Sequence, residues 1–447
     1  MLNIFIFHND LRLQDNNGLY EAISNGKTIP VFIFTPEQIG QINKYRSQNS
    51  INFMCESLKE LDSDLKKYGS KLHTYFGNTT KVIAKLIGQI KPTGIYCNAN
   101  YTPYAKKRDN EIAKLCDAKN IEFCQFEDYG LLPIGSVKSA NGTYKKFTPY
   151  YNAAKNKKVA KPKKYNIHNL AKISGGNYPI TKFYKKHNLP MFGGRKNSLK
   201  IISNMSKFGK YGTTRNILAI NTTELSAFLK FGCISAREVY HSISNKSGDL
   251  VKQLFWRDFF MNLVDGYPHI LNGPRFKRNF KQKYNTVKWQ TNQSLQFKKW
   301  CQGQTGYPIV DAAMTQLNTI GWMHNRGRLI VAWFLTKILG IHWELGEQYF
   351  ATKLRDYDPA QNNGGWQFCA GSGVDTDQYF RQFNPWAHSE KYDPNGEYIK
   401  KWLPILKDVK PKDLHKWDQS WQNYNIKYPK PIVNYEDAKN KVRKIYK

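Results

Sequence analysis

The sequence predicts two unlike domains: an amino-terminal α/β domain built on a doubly wound parallel sheet, and a larger all-α domain. Strand-like and helix-like segments alternate over the first 130 residues, a polar lysine-rich stretch follows, and strand signals vanish after about residue 197. Alternation of this kind is typical of a parallel sheet covered by helices. We therefore expect an α/β domain at 1–130, a connecting linker at 131–196 and a helical domain at 197–447.

The α/β domain is predicted from short apolar runs that alternate with amphipathic segments. Ligands of such sheets bind beyond the carboxyl ends of the strands. The nicotinamide-type motif GxGxxG is missing, so that kind of dinucleotide site is unsupported. The predicted strands are Asn3–Phe7, Pro30–Phe34, His73–Phe76, Gly94–Cys97 and Ile121–Phe126, and the predicted helices are Ser50–Tyr68, Val82–Ile90 and Tyr104–Cys116.

The linker is too polar to carry a core of its own, so we expect it to wrap over the folded domains, with most of its lysines solvated. Helical periodicity dominates the rest of the chain. Pro308 suits a first helical turn, where its missing N–H costs nothing. The predicted helices there are Leu225–Phe231, Ala236–Ser244, Leu250–Leu263, Ile309–Leu317, Arg326–Ile338 and Tyr398–Leu406.

The charge of the chain indicates a polyanionic partner. Lys and Arg total 68 against 34 acidic residues, which gives a formal net charge of +34. Nucleic acid is the first candidate and an anionic membrane surface the second. Abundant Lys, Asn and Ile also fit the codon bias of an AT-rich genome. That bias does not explain why the chain has only half as many acidic residues as basic ones.

Cysteine spacing and hydropathy exclude several classes. The seven Cys form no CxxC pair, which argues against a zinc ribbon, an iron–sulfur cluster or a disulfide framework, and we expect no metal. The first residues lack the basic region of a signal peptide, and no run reaches the ~20 apolar residues of a membrane span. We expect a soluble, intracellular protein of the cytoplasm or nucleus that is not secreted.

Two features of the helical half suggest a ligand. Seven of the eleven Trp lie between residues 250 and 370, where they could be core anchors, walls of an aromatic cavity or a redox chain. The segment RDYDPAQNNGGW (355–366) combines carboxylates, carboxamides and glycines beside a Trp. It suits a planar heterocycle with N–H and C=O edges, because Asn both donates and accepts. It equally suits a capped turn between two helices.

Longer motifs decide between these interpretations. Residues 305–338, 356–368 and 379–404 resemble the flavin-binding core of the photolyase/cryptochrome family. FIFHNDLRLQDN (5–16), ANYTPYAKKRD (99–109) and QLFWRDFF (253–260) are similar to its opening strand, its antenna region and the helix that meets flavin and DNA. The resemblance covers essentially the whole chain in order. Within the family, the chain is most like the class I cyclobutane pyrimidine dimer photolyases.

The resemblance implies a light-driven lyase that holds a U-shaped FAD in its helical domain. The excited, anionic reduced flavin gives an electron to a cyclobutane pyrimidine dimer in UV-damaged DNA, the ring bonds split and the electron returns. The cofactor carries the hard step and the protein supplies orientation and electrostatics. By motif position, the residues implied around the flavin are Tyr211, Arg215, Thr222, Thr223, Leu225, Ser226, Gln253, Arg257, Trp322, Asn325, Arg328, Asp356, Asp358 and Asn362.

Specific roles follow from the same resemblance. Arg328 and Asp356 are expected to pair beside the isoalloxazine, Asp358 to accept from the flavin edge or the ribityl hydroxyls, and Arg257 to lie near the diphosphate. Asn362 is expected to face flavin N5, where a neutral group suits an anionic reduced flavin. The residues Trp366, Trp343 and Trp289 match the three-tryptophan relay that carries electrons from the surface to oxidised FAD.

Photolyases take the damaged base out of the duplex. The family's lesion pocket implies that Trp256 and Phe368 wedge against the dimer, and that Asn325 and Arg326 line the cavity. Three positions depart from the usual cyclobutane-dimer enzymes: Gln253 replaces Glu, Phe368 replaces a second Trp and Leu329 replaces Met. The His residues used by (6-4) photolyases are missing at Asn325 and Leu329, so that activity is not expected.

Two alternatives stay open. One is a cryptochrome-type light sensor, and the other is a DASH-like photolyase specific for single strands. The net charge and a chain that stops soon after the helical domain favour repair. The antenna chromophore could be methenyltetrahydrofolate or a deazaflavin. We expect a monomer with no obligate protein partner.

Overall fold

The computed structural model describes residues 1–245, 247–374 and 383–446. Residues 379–382 of the family-like stretch 379–404 therefore lie outside the described residues. Among those described, no helix is both long and apolar enough to cross a bilayer. Two compact units divide the chain: the first comprises Met1–Gly209, Thr223–Leu271 and Arg355–Ala360, and the second comprises Lys210–Thr222, Asn272–Leu354 and Gln361–Lys447.

The first unit contains a five-stranded parallel sheet. The strands are β1 (Leu2–Phe7), β2 (Lys27–Phe34), β3 (His73–Phe76), β4 (Gly94–Asn98) and β5 (Glu122–Phe126), interspersed with helices α1 (Asn17–Ser24), α2 (Pro36–Ile39), α3 (Gln48–Lys66), α4 (Thr79–Ile90) and α5 (Pro103–Asp117). They follow the order β3-β2-β1-β4-β5, which is the doubly wound arrangement predicted from the sequence. The fold class is thereby confirmed.

Alternation of side chains along the strands builds the core. On one face Ile4, Ile6 and Ile29 pack with Ile83 of α4 and Ile112 of α5. On the other face α1 approaches the strands closely at Gly18, where an added Cβ would lie 2.9 Å from the ring of Phe5. Glycine therefore permits a contact that a larger residue would block.

The linker has structure of its own. It holds a short hairpin of β6 (Lys138–Ser139) and β7 (Gly142–Thr143) and the helix α6 (Phe147–Ala154). It also lies along the sheet, since Leu170 and Asn177 form isolated bridges with Thr28 and Thr74. Wrapping over the α/β part was the expected behaviour. The proposed domain boundaries stay a prediction.

No named strand follows β7 in the described part of the chain, in agreement with the predicted all-α half. The helices are α7 (Arg195–Ser203), α8 (Tyr211–Thr214), α9 (Ser226–Lys230), α10 (Ala236–Ile243), α11 (Gly248–Gly266), α12 (His269–Asn272), α13 (Leu295–Gln302), α14 (Pro308–Ile320), α15 (Asn325–Trp333), α16 (Trp343–Lys353), α17 (Pro359–Ala370), α18 (Pro385–Tyr392), α19 (Glu397–Trp402), α20 (Pro411–Leu414), α21 (Trp417–Ser420) and α22 (Tyr435–Ile445).

Two predicted helices end earlier than expected. The segment predicted as Arg326–Ile338 is α15 up to Trp333, followed by a π-helical turn over Phe334–Ile338. The segment predicted as Tyr398–Leu406 is α19 followed by a 3-10 turn at Pro404–Leu406, because Pro404 supplies no N–H to continue the helix. Periodicity alone does not register such local changes of helix type.

Candidate functional site

The acidic half of the segment 355–366 lies in the first unit and is held by hydrogen bonds. Ser226 Oγ donates to Asp356 Oδ2 at 2.6 Å, so the structure brings these two predicted flavin residues together. The hydroxyl of Tyr129 donates to Asp358 Oδ2 at 3.2 Å, and the backbone N–H of Ala360 donates to Asp358 Oδ1 at 2.9 Å. Asp358 thus caps the first turn of α17.

The turn before α9 carries Thr223 and Leu225, two more predicted residues of this unit. Thr223 Oγ1 accepts a 3.5 Å bond from the backbone N–H of Leu225. Between them Glu224 adopts a φ of 50°, a conformation that non-glycine residues seldom adopt. Its carboxylate pairs at 2.5 Å with the guanidinium of Arg355, which is 1 % exposed. The ion pair joins this turn to the acidic segment.

Helix α11 presents Gln253, Trp256 and Arg257 on one face, as their i, i+3, i+4 spacing requires. The Arg257 guanidinium lies 3.5 Å from the ring centroid of Tyr129 and donates to its carbonyl oxygen at 2.7 Å. The indole of Trp256 stacks on Phe147 with centroids 3.6 Å apart and planes 7° from parallel. Gln253 Nε2 donates to a backbone carbonyl one turn earlier.

The second unit contains the remaining residues predicted for the lesion pocket. Asn325 is exposed at the first position of α15, Leu329 one turn later is partly buried, and so is Phe368 on α17. Arg326 donates to the Asn216 side chain at 2.6 Å and lies 4.2 Å from the ring of Tyr392.

The rest of the predicted flavin set lies in the second unit. Tyr211, Arg215 and Thr222 of the second unit are all partly exposed, at or near α8. Trp322 is 7 % exposed, and Arg328 Nε donates to the carbonyl of Met323 at 2.9 Å. The predicted pair of Arg328 and Asp356 has one member in each unit and stays a prediction.

Asn362 has a fixed orientation in the second unit. Its Nδ2 donates to the backbone oxygen of Glu347 at 3.0 Å and to Glu347 Oε1 at 3.2 Å. Both hydrogen bonds of the carboxamide within the described chain therefore come from nitrogen, and Oδ1 is left to accept. An N–H group of a planar heterocycle is what such an oxygen would bind. The acceptor oxygen of Asn362 therefore fits a flavin whose N5 carries a proton.

Glu347 is held in turn by a buried charge cluster. Arg278 donates to Glu344 Oε2 at 2.7 Å and lies 3.9 Å from Glu347 Oε2, and all three residues are at most 8 % exposed. The guanidinium also lies 5.9 Å from the ring of Trp343. A buried carboxylate needs a nearby cation and hydrogen bonds to stay ionised. The cluster therefore fixes the group that orients Asn362.

The three tryptophans predicted to form a relay all lie in the second unit. Trp366, Trp343 and Trp289 are 3 %, 0 % and 8 % exposed. The ring of Trp366 packs on the backbone of α16 at Gly346, one turn after Trp343. The imidazole of His342 lies 5.8 Å from the Trp343 ring and 5.6 Å from the Trp289 ring, so it sits between them. Burial lowers the pKa of His342 to about 4, which keeps this ring neutral near pH 7.

Gly346 leads to a testable prediction. A methyl group there would overlap Cη2 of Trp366, so Gly346→Ala should push the indole out of its position. Alanine gains about 1 kcal/mol of helix propensity over glycine, whereas overpacking costs about 1–3 kcal/mol. We expect a net loss of stability together with slower photoreduction of bound flavin, measured by thermal unfolding and by flavin absorbance under illumination.

The matched control is Gly88→Ala in α4, where nothing lies within 4 Å of an added Cβ. Only the propensity gain should operate there, so stability should rise slightly and photoreduction should not change. Equal photoreduction rates in Gly346→Ala and the parent would contradict the packing of Trp366 described above.

A group of three potential metal ligands lies in the first unit. Ligand atoms of His8, Cys97 and Asp109 are within 4.8 Å of one another. Both carboxylate oxygens of Asp109 are engaged, because Arg108 Nε donates to one at 2.7 Å and Gln125 donates to the other at 2.9 Å. The positive charge beside the Asp109 carboxylate is therefore already provided by the guanidinium of Arg108. The expectation that no metal is bound stays a prediction.

Comparison with known proteins identifies the family. Residues 3–166 match the sequence model of DNA photolyase, and residues 250–447 match that of the FAD binding domain of DNA photolyase. The deoxyribodipyrimidine photo-lyase of Vibrio cholerae is 33 % identical over 99 % of this chain and 98 % of its own. The chain belongs to the DNA photolyase family.

Solved structures agree with this assignment. The archaeal photolyase of Sulfolobus tokodaii, whose crystal structure contains two FAD molecules, matches with a TM-score of 0.90 and 39 % identity over 100 % of this chain and 99 % of its own. A cryptochrome from Synechocystis matches with a TM-score of 0.87 and 28 % identity over 100 % and 99 %. Both structures therefore match over the whole described architecture.

Several residues around the site were not predicted from the sequence: Tyr129, Arg278, His342, Gly346 and Glu347. Each acts through a neighbour and not through a motif of its own. His342, Gly346 and Glu347 share one short run with Trp343, but nothing in that run marks them as site residues.

Proposed function

We propose that this chain is a light-driven DNA repair enzyme that splits cyclobutane pyrimidine dimers, as the name deoxyribodipyrimidine photo-lyase of its relatives indicates. The observation that carries the proposal is the orientation of Asn362. Its two donor bonds to Glu347 leave a neutral acceptor oxygen, which suits a reduced flavin better than a carboxylate would. The match to the FAD-binding domain of photolyases supports the same ligand.

A reduced flavin, when bound, would supply on absorbing blue light the electron that opens the cyclobutane ring. The protein's own contribution is orientation. Ser226 positions the Asp356 carboxylate, and Tyr129 positions that of Asp358. Asn362 would accept a hydrogen bond from the N–H of the flavin edge. Trp256, which stacks on Phe147, would offer an apolar surface to the flipped lesion. The other flavin and lesion residues predicted from the resemblance are part of this proposal.

The proposed lesion is the cyclobutane dimer and not the (6-4) product. The (6-4) reaction in this family depends on proton transfer from His, and general acid catalysis needs a group that gives up a proton near neutral pH. Asn325 and Leu329 cannot supply one. Gln253 can still donate to a thymine edge, although without the charge of Glu. We therefore expect Gln253→Glu to raise repair or leave it unchanged.

The alternative is a cryptochrome-type light sensor. The Synechocystis cryptochrome is similar over the full chain, so the fold alone does not separate the two functions. A DASH-like enzyme confined to single-stranded DNA is the second alternative. The proposal is tested by incubating flavin-loaded protein with a thymine-dimer oligonucleotide, once in light and once in darkness. Return of thymine only in the light supports repair, and no return in either condition supports the sensor.

DNA binding follows from the charge of +34, and it gives a prediction. Binding should weaken steeply with salt, with a slope of log K against log salt of about −0.9 for each phosphate neutralised. We expect damaged duplex to bind more tightly than intact duplex at every salt concentration. Fluorescence anisotropy across a salt series measures both quantities. A flat salt response would mean that the positive charge serves another purpose.

We propose in addition a second chromophore in the first unit, near the segment 99–109. Tyr104 there is 48 % exposed, and its hydroxyl lies 3.5 Å from Thr35, which follows β2 at the carboxyl edge of the sheet. Ligands of doubly wound sheets bind at this edge. The two FAD molecules of the Sulfolobus tokodaii structure add FAD to methenyltetrahydrofolate and deazaflavin as candidates.

We also propose that the protein is an intracellular monomer whose domains comprise residues 1–130, 131–196 and 197–447.

A further inference from the structure

The helix α6 is the part of the predicted linker that packs against α11. Three aromatic residues of α6, spaced i, i+3 and i+4, lie on the face that meets α11. Each of them contacts an aromatic ring of α11. The ring pairs are Phe147–Trp256, Tyr150–Phe259 and Tyr151–Phe255, with centroids 3.6, 5.4 and 5.3 Å apart. Both helices belong to the first unit, so this contact lies within one compact body.

The position of α6 on α11 is fixed at two further points. A Cβ added at Gly266, the last residue of α11, would overlap Thr143 Oγ1, so the hairpin before α6 approaches the backbone of α11 closely. Within α11, Asn262 Nδ2 donates to the hydroxyl of Tyr150 at 3.4 Å. Phe147, the first residue of α6, is therefore held from both sides along the chain.

The stack of Phe147 on Trp256 is tight. The centroids are 3.6 Å apart and the planes are 7° from parallel, so the two rings overlap almost face to face. Aromatic pairs prefer offset or edge-to-face contacts with centroids about 4.5–7 Å apart. The surrounding packing holds the observed geometry, since the edge of Phe259 lies 5.7 Å from Phe147 and 5.6 Å from Trp256, measured between ring centroids. The protein thus fixes the orientation of the indole.

Trp256 is held without being covered. Phe147 is 2 % exposed, whereas Trp256 stays partly exposed. The ammonium group of Lys252, one turn earlier in α11, lies 5.9 Å from the ring centroid of Phe147 and 5.3 Å from that of Tyr151. A cation beside an accessible indole suits damaged DNA, because the cation can meet a phosphate and the indole can stack on a base.

We propose that Phe147 is a positioning residue for lesion recognition, which holds the indole of Trp256 in the orientation that receives the flipped dimer. A side chain that is ordered before binding loses less conformational entropy when the complex forms. Phe147 acts through Trp256 and affects binding, not the electron transfer that opens the ring. The inference rests on the proposed function, in which Trp256 packs against the lesion, and it adds a residue of the linker to that site.

The test compares damaged with intact duplex DNA by fluorescence anisotropy at fixed salt. Phe147→Leu keeps an apolar side chain and removes the ring. Its binding to a duplex with one thymine dimer should weaken about three- to tenfold, and its binding to the intact duplex should not change. In repair by chemically reduced, flavin-loaded protein, KM should rise while kcat at saturating DNA stays that of the parent.

The matched control is Phe297→Leu in α13. Phe297 is 6 % exposed and stacks on Trp300 with planes 18° apart, so the variant loses a similar buried ring at a position with no predicted lesion contact. Its preference for damaged DNA should equal that of the parent. An unchanged preference in Phe147→Leu, or the same loss in both variants, would overturn the proposal.

Trp256→Ala separates the two levels of inference. If that variant keeps the parent's preference for damaged DNA, the role of Trp256 in the proposed function is wrong, and the role of Phe147 is wrong with it. If Trp256→Ala loses the preference and Phe147→Leu keeps it, only the role of Phe147 is wrong.

Discussion

Replacing Trp366 by Phe should slow light-driven reduction of bound oxidised flavin by an order of magnitude or more. Repair by chemically reduced protein should be unchanged. The indole gives up an electron far more readily than a phenyl ring, and Trp366 is the member expected nearest the flavin. The proposed relay would reload the cofactor and take no part in splitting the dimer, so the two activities should separate.

The readout is the flavin absorbance of the purified protein under blue light with a thiol reductant. The control is Trp402→Phe, a partly exposed residue of α19 that has no place in the relay. Equal photoreduction rates in Trp366→Phe and the parent would remove Trp366 from the relay. Loss of repair by the chemically reduced variant would mean that the indole has a second role.

Asp128→Ala should destabilise the protein by about 3–5 kcal/mol, the cost of leaving a buried charge without its partner. Asp128 follows β5, is 6 % exposed, and pairs with Arg12 at 2.5 Å and with Arg237 at 2.8 Å. Asp15 pairs with Arg237 at 3.0 Å, which leaves Arg12 as the guanidinium that loses most. Urea unfolding of the variant measures the loss.

The effect should depend on pH in a definite direction. Burial alone would raise the pKa of Asp128, but Arg12 and Arg237 outweigh it and hold the pKa below the usual range. A carboxyl group with a lowered folded pKa stabilises above its unfolded pKa of about 3.9. That contribution is lost as pH falls through the folded value. The gap between parent and variant should therefore be constant near neutrality and shrink in acid.

The surface control is Asp64→Ala, whose partner Lys67 is largely exposed. Exposed pairs contribute little, so its unfolding midpoint should match that of the parent. A variant Asp128→Ala as stable as the parent would mean that the buried cluster at the carboxyl ends of β1 and β5 is replaceable.

Sequence patterns predicted the sheet well, because a short apolar run between two helical segments can hardly be anything other than a buried strand. The strand at His73–Phe76 was predicted to the residue. Helix α1 was missed because a glycine and two asparagines at its start resemble a loop, although Asn16 caps it by accepting from the N–H of Leu19. The apolar residues Leu19, Ala22 and Ile23 have helical spacing, but eight residues are too few for that spacing to stand out as a period.

Site residues could be predicted only where they lie inside a motif that resembles the family. Ser226 and Asp356, 130 residues apart, were both named from the resemblance, although their hydrogen bond to each other was not predicted. The partners that orient Asn362 were not predictable, because a side chain that acts through another leaves no motif. Glu347 is visible only once α16 and α17 are folded. The same holds for His342 between Trp343 and Trp289.

The central claim is repair of the cyclobutane dimer, and one assay tests it most directly. Chemically reduced, flavin-loaded protein is mixed with oligonucleotides that carry either one cyclobutane thymine dimer or one (6-4) product, in single and double strands, in light and in darkness. We predict light-dependent return of thymine from the cyclobutane dimer in both strand forms and none from the (6-4) product. Restoration of the (6-4) product, or no repair of either lesion in the light, would contradict it.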